Sequence, residues 1–229
     1  MKKLLLIFLA IPFVSQAQDN GKPFKLVGKA KKLTHQAEWV YLQYRTNGDW
    51  KTDSAQVKDG KYQLAGKIEE PVQGRLRVKY SETADGNKVA MVSGRDMVSV
   101  FLEPGKTKVA SVDSFSNVQV KGSSAHIEFA KLNLATKPFN DRSKKKKKKY
   151  REYAKSKDKA NQSKIEEQLD AIDSEMKEKV YGEYVKNNPN SPLGLYALQQ
   201  YAGWDINADK VEPLYNALSD ANKNYPSAV

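Results

Sequence analysis

Cysteine is absent from the 229-residue chain, and histidine occurs only twice. Without cysteine, the sequence can form no disulfide and offers neither a thiolate nucleophile nor a thiolate metal ligand. His35 and His126 each lack a second histidine at the spacing that metal sites use. We therefore expect no metal site and no cofactor.

The sequence also lacks the common motifs of phosphate-binding and hydrolytic enzymes. It has no glycine-rich phosphate loop and no Gly-x-Ser-x-Gly elbow. Glu69 and Glu70 are adjacent, and neighbouring residues on a strand point to opposite faces, so these two acids cannot serve one substrate. A hydrolase is therefore disfavoured, and we expect a non-catalytic protein.

Long apolar runs are limited to the N-terminus. Lys2 and Lys3 precede an apolar run over residues 4–14, and Ser15-Gln16-Ala17 places small residues where a signal peptidase reads. The run is too short to span a bilayer with ease. Residues 1–17 are thus predicted to be a signal peptide cleaved before Gln18, which implies a periplasmic protein without a transmembrane segment.

Basic residues outnumber acidic ones, and the formal net charge is +12. The most basic segment, residues 142–159, has a net charge of +9 and contains what we call the lysine tract: Lys144, Lys145, Lys146, Lys147, Lys148 and Lys149. Such a run could bind a polyanion or an envelope surface by counterion release. Residues 160–229 carry a net charge of −5, so the tract could instead be a solvated helix beside an acidic neighbour in a helical hairpin.

Residues 18–122 alternate apolar and polar positions in short runs, which predicts a β-rich accessory domain. Strands are expected near residues 24–28, 39–44, 76–80, 98–102, 107–112 and 118–120. Asn47-Gly48 predicts a tight turn. Asp59-Gly60 predicts a hairpin whose second strand stops at Pro71. The expected fold class is α+β, with an N-terminal antiparallel β-sandwich or barrel-like sheet followed by a C-terminal helical region.

The helical region is expected over residues 123–229, after a boundary at Gly122. Its first helix should be capped by Ser123 or Ser124 and end at Pro138. The apolar residues of that helix are Ile127, Ala130 and Leu134.

A second helix carries apolar residues at spacings of three and four, which predicts a stripe facing the core. The stripe comprises Ile165, Leu169, Ile172, Met176, Val180 and Tyr184. Asn188-Pro189 should break this helix. A buried helix should follow, with Ser191 as its cap, Pro192 at its first position and Gly203 just past its end, and a short last helix is expected near residues 211–218.

Several short motifs, in a fixed order over residues 23–226, resemble a known family. They are Phe24-Lys25-Leu26-Val27-Gly28-Lys29, Val40-Tyr41-Leu42, Asp53-Ser54-Ala55, Val57-Lys58-Asp59-Gly60-Lys61-Tyr62, Gly66-Lys67-Ile68, Glu103-Pro104-Gly105, Val120-Lys121-Gly122-Ser123 and Asn188-Pro189-Asn190-Ser191. Together they resemble the uncharacterised N-terminal domain of exported Gram-negative thioredoxin-like proteins, which include AhpC/TSA-type and thiol-disulfide interchange proteins.

In that family the resemblance implies a following thioredoxin-like domain with a Trp-Cys-x-x-Cys site. This sequence has no cysteine, so it offers no residues to which that redox activity could be assigned. We expect a non-catalytic periplasmic accessory or interaction module whose partner is a protein or the missing thioredoxin-like domain. The alternatives are a polyanion binder acting through the lysine tract and a truncated fragment of an oxidoreductase. Export makes nucleic acid an unexpected partner.

Overall fold

Two sheets followed by helices form the described part of the protein. The computed structural model describes residues 21–228, so the predicted signal peptide over residues 1–17 lies outside the described residues. The strands are β1 (Lys22–Lys29), β2 (Ala37–Thr46), β3 (Asp49–Gln56), β4 (Lys61–Ile68), β5 (Val72–Tyr80), β6 (Met97–Leu102), β7 (Gly105–Ser111) and β8 (Val118–Lys121). A short helix, α1 (Ser93–Asp96), precedes β6.

The eight strands form two four-stranded sheets that share one core. Sheet 1 has the order β4-β1-β7-β8, and sheet 2 has the order β3-β2-β5-β6. The α+β prediction is confirmed, and the described strands form open sheets rather than a closed barrel. The expectation of purely antiparallel pairing is wrong at one place, because β1 and β7 run parallel with Phe24 beside Gly105.

The predicted hairpin at Asp59-Gly60 is a turn that connects the two sheets. Asp59 (φ 51°) and Gly60 (φ 69°) adopt the left-handed conformation that such a turn needs, and Lys58 bridges Lys61. Nevertheless β3 pairs with β2, and β4 pairs with β1. Both strands send alternate residues into the shared core, so the alternation fits a crossover as well as a hairpin. The two-residue hairpin turn lies instead at Asn47-Gly48, between β2 and β3.

The sandwich core is built from the inward residues of both sheets. Leu76, Val78 and Tyr80 of β5 are buried as the alternation predicted. Phe24 of sheet 1 and Tyr44 of sheet 2 meet edge to face, with ring centroids 5.4 Å apart. This contact shows that the sheets pack face to face.

Within the described residues, the helical region has seven α- or π-helical segments. They are α2 (Ser124–Lys155), α3 (Lys159–Met176), a π-helical segment (Lys177–Gly182), α4 (Glu183–Asn187), α5 (Gly194–Ala202), α6 (Ala208–Ala217) and α7 (Asp220–Lys223). A short 3-10 turn (Pro226–Ala228) closes the described chain. The helix α6 confirms the helix expected near residues 211–218, but it is not the last one, because α7 and the 3-10 turn follow it.

Pro138 does not end the first helix, because α2 continues for 32 residues through it. Proline removes the partner of the carbonyl four residues earlier, which belongs to Leu134. Leu134 is 72% exposed, so water can satisfy that carbonyl. The buried residues of α2 are Ala125, Phe129, Leu132 and Thr136, whereas Ile127, Ala130 and Leu134 are exposed.

The predicted apolar stripe runs along α3, the π-helical segment and α4. Ile165, Ile172 and Val180 are buried, while Leu169, Met176 and Tyr184 are half-buried. The helix ends at Asn188 as expected. The next helix begins at Gly194 rather than Pro192, because Ser191 Oγ accepts the Leu193 N–H in a preceding turn. Gly203 follows its end, at φ 68°.

Candidate binding cleft and charged surfaces

Phe101 joins the β-rich half to the helices. Its neighbours Val100 and Leu102 lie in the sandwich core, so strand alternation turns the Phe101 ring to the opposite side. There its ring centroid lies 5.2 Å from that of Phe129 and 5.1 Å from that of Tyr196. The helical core therefore begins on the outer surface of sheet 2.

Glu103, just after β6, fixes the start of α2. Its carboxylate accepts the backbone N–H groups of Ser124 at 2.6 Å and Ala125 at 3.0 Å. Ser123 Oγ accepts the N–H of His126 at 3.0 Å, which confirms Ser123 as the predicted cap. Acidic groups stabilise helix N-termini because they meet unpaired N–H groups and the positive end of the helix dipole.

A cleft of about 590 Å³ lies where the end of sheet 2 meets α5 and the last residues of the chain. We call it the junction cleft. Aromatic and amide side chains line it, namely Trp50, Gln73, Phe101, Tyr196, Gln199, Gln200 and Tyr225. Arg45 and Glu70 are its charged lining residues. This volume and lining are typical of sites that bind a ligand or a peptide segment.

Glu70 anchors the C-terminal segment to one wall of the junction cleft. Its carboxylate accepts both the N–H of Ser227 at 3.2 Å and the hydroxyl of Ser227 at 2.9 Å. Burial raises the pKa of Tyr225, and the carboxylates of Glu70 and Glu103 raise it further. The Tyr225 hydroxyl is therefore a neutral hydrogen-bond donor at neutral pH.

Next to this cleft, sheet 2 presents a surface on which cations of β5 lie beside aromatic rings of β2. We call it the outer face. It consists of the outward residues Trp39, Tyr41, Gln43, Arg45, Trp50, Thr52, Ser54, Gln56, Gln73, Arg75, Arg77 and Lys79. The guanidinium carbon of Arg77 lies 5.8 Å from the centroid of the Tyr41 ring, a cation–π geometry. Lys79 pairs with Glu38 at 2.9 Å.

The lysine tract lies on α2, mostly in solvent. Lys144, Lys145 and Lys148 share one side of the helix with Arg151 and Lys155, and five of the six lysines are exposed. Lys146 is half-buried and donates to Gln168 Oε1 at 2.6 Å. The structure thus gathers part of the predicted polyanion surface on one helix face.

The α2–α3 pair forms the antiparallel hairpin that the charge pattern predicted. Arg142 contacts Glu175 at 2.7 Å, and further along Gln162 Nε2 donates to the carbonyl of Tyr153 at 3.3 Å. Some acidic residues of α3 pair with nearby lysines instead of with α2, as Asp173 does with Lys177 of the following π-helical segment at 2.9 Å. Cross-arm ion pairing is consequently sparser than the opposing net charges suggest.

Sequence reasoning missed Asp96, whose side chain is fully buried in α1. It accepts the hydroxyl of Tyr80 at 2.6 Å and the N–H of Val92 at 2.8 Å. Burial alone would raise the pKa of Asp96, but hydrogen bonds from Arg95, Tyr80 and Val92 outweigh it and lower the pKa. A single aspartate in a polar loop carries no sequence signal for such burial.

Over residues 21–228, no group of three or more histidine or acidic side chains is placed to hold a metal ion. Within the same residues, no helix combines the length and apolar content that crossing a bilayer requires.

A family model matches part of the chain. Neither curated proteins nor solved structures gave a match. The matched segment begins in β1, includes both sheets and ends at Phe129 in α2. Residues 24–129 therefore match the model of a family described as domain of unknown function DUF4369, which supports an uncharacterised domain in this part of the chain.

Proposed function

We propose that this protein is a non-catalytic periplasmic accessory module whose junction cleft binds a thioredoxin-like protein partner. The observation that supports this proposal is the junction cleft. Both halves of the chain form its walls, and its lining combines the exposed Trp50 with Phe101, Tyr196 and several amides. Aromatic anchors beside hydrogen-bonding groups are typical of the centre of protein interfaces.

The identity of the partner rests on the sequence motifs. The matched domain has no assigned function, whereas the ordered motifs over residues 23–226 resemble the domain that precedes thioredoxin-like domains. In such an arrangement the binding energy comes from an aromatic anchor, and the thiol chemistry belongs to the partner. Cysteine-free residues 18–229 suit that division of roles.

An NMR titration tests this function directly. Residues 18–229, labelled with ¹⁵N, are titrated with a purified periplasmic thioredoxin-like domain that carries Trp-Cys-x-x-Cys. We expect saturable shifts at Trp50 and Gln199, and a loss of about tenfold or more in affinity for Trp50→Ala. Trp204→Ala is the matched control, since Trp204 is fully exposed and lies outside the cleft lining. Absence of binding, or equal loss in both variants, would refute the proposal.

A second candidate function, binding of polyanions, is favoured by the exposure of the lysine tract. Five of its lysines are exposed, and each phosphate or sulfate contact made by lysine contributes to salt dependence. Heparin binding measured over a range of salt concentrations checks this candidate. Glutamine at all six positions should flatten the salt dependence, and absence of heparin binding at moderate salt would exclude it.

A further inference from the structure

The outer face of sheet 2 brings a row of cations beside a row of aromatic rings. Arg75, Arg77 and Lys79 occupy alternate positions of β5. The register places Tyr41 opposite Arg77 and Trp39 opposite Lys79 on β2. Alternate residues on a strand are about 6.7 Å apart, and neighbouring strands are about 4.8 Å apart. The two rows therefore lie side by side on one face of the sheet, at a fixed spacing, and we call them the platform.

The charged side chains of this platform are all positive. Glutamate and aspartate are absent from the outward positions of β2, β3 and β5 defined above. Glu38, at the bulge beside Trp39, neutralises only Lys79. Among the described residues, Arg75 and Arg77 have no carboxylate within ion-pair distance, and Arg77 Nε is buried without a hydrogen-bond partner. An anionic ligand would supply the partners that these guanidinium groups lack.

We propose that the outer face is a binding site for acidic oligosaccharides built from uronic acids. The C–H faces of the sugar rings lie against the half-buried side chains of Trp39 and Tyr41. The uronate carboxylates pair with Arg75 and Arg77, whose planar guanidinium groups match a carboxylate with two parallel hydrogen bonds. This goes beyond the partner proposed for the junction cleft and uses other residues.

The neighbouring polar groups favour a sugar over an acidic peptide. Gln43, Thr52 and Ser54 lie on the same face and offer amide and hydroxyl groups to ring hydroxyls. An acidic peptide would satisfy the cations but would leave the flat aromatic rings uncovered. A single-stranded nucleic acid could stack on them, and it is treated as a competing outcome of the test.

The test uses residues 18–229 and hexagalacturonate, with affinity from calorimetry and the contact surface from NMR shifts. We expect saturable binding, shifts at the Trp39 indole and the Tyr41 ring, and no binding of uncharged cellohexaose. Arg75→Gln with Arg77→Gln should lower the affinity by about tenfold or more. Lys25→Gln with Lys29→Gln removes the same charge from exposed positions of β1 in sheet 1 and should leave the affinity within about twofold.

Several results would overturn the site. One is equal weakening by both double variants, which would indicate diffuse charge attraction. Another is binding of hexaglutamate or oligo(dT) to the same face as tightly as hexagalacturonate. A third is binding of hexagalacturonate without shifts at Trp39 and Tyr41, a readout in the unaltered protein that does not depend on how the variants fold. Gln199→Ala, which alters the junction cleft at a residue outside the outer face, should not alter the Tyr41 shifts.

Discussion

The backbone N–H of Phe101 donates to Nδ1 of His126 across 3.2 Å, which links the edge strand β6 of sheet 2 to the first turn of α2. Nδ1 must be unprotonated to accept this bond. Burial lowers the pKa of His126 below its ordinary value of 6.5. The folded protein therefore binds this proton less readily than the unfolded chain does, and the free energy of unfolding should fall as the pH drops below about 6.5.

Urea unfolding between pH 7.5 and pH 5 measures this effect. His126→Asn keeps an acceptor oxygen but cannot titrate, so its stability should depend less on pH than that of the unaltered protein. His35→Asn, at the chain's other histidine, should retain the full pH dependence. Identical profiles for all three proteins would show that His126 does not contribute.

The buried carboxylate of Asp96 should contribute strongly to the stability of the β-rich half. Asp96→Ala leaves the Tyr80 hydroxyl and the Val92 N–H without their acceptor, and we expect a loss of about 3 kcal/mol in the free energy of unfolding. Asp85→Ala, at an exposed aspartate of the preceding loop, should cost less than about 0.5 kcal/mol. Because the pKa of Asp96 is lowered, its stabilisation is present above about pH 4 and should be lost as the pH falls through that pKa. Similar losses for the two variants in chemical denaturation would contradict this.

Sequence patterns captured the local chemistry of turns and strands better than the pairing of strands. Asp59-Gly60 does form a left-handed turn, and the alternation around it correctly marks buried and exposed residues. The sequence does not determine whether β3 and β4 pair with each other in a hairpin or join different sheets. Both arrangements bury the same residues of the two strands. Alternation likewise could not show that the Phe101 side chain packs in the helical core and not in the sandwich core. Both sides of β6 are buried, so apolar residues occur at successive positions of this strand.

The candidate sites were less visible in the sequence than the fold. The lysine tract was found because it is contiguous, and it does lie exposed on α2. The outer face draws Tyr41 and Arg77 from strands 36 positions apart in the chain, and the junction cleft combines residues of both halves. Contacts of this range depend on sheet register and on helix docking, which composition and spacing do not encode.

Gly28 should be intolerant of any side chain because β1 passes directly against the Tyr62 ring. A Cβ at this position would overlap that ring, and Tyr62 is only 4% exposed, so it has little room to move. We expect Gly28→Ala to cost about 1–3 kcal/mol by thermal or chemical denaturation. Replacing Tyr62 with Leu in the same chain should make the Gly28→Ala change less costly, and a purely additive double variant would argue against the clash.

The α2–α3 hairpin should depend on its buried apolar seam and hardly at all on its charges. Ile172 is 4% exposed and lies on the same side of α3 as Gln168 and Glu175, which contact α2. Ile172→Ala should therefore cost about 2–4 kcal/mol. Met176 is only half-buried, so Met176→Ala should cost less than Ile172→Ala.

Glutamine at all six positions of the lysine tract should change the free energy of unfolding by less than about 1 kcal/mol. Exposed charges contribute little to stability, and Lys146 is the tract residue whose side chain forms a hydrogen bond to α3. Removing six neighbouring positive charges also relieves their mutual repulsion, which offsets the lost contact. Hydrogen exchange should then show rapid exchange for exposed amides near the tip of α2 in both proteins, with the amides around Ile172 protected. Unfolding of the glutamine variant, or equal protection along both arms, would mean that the lysines hold the hairpin together.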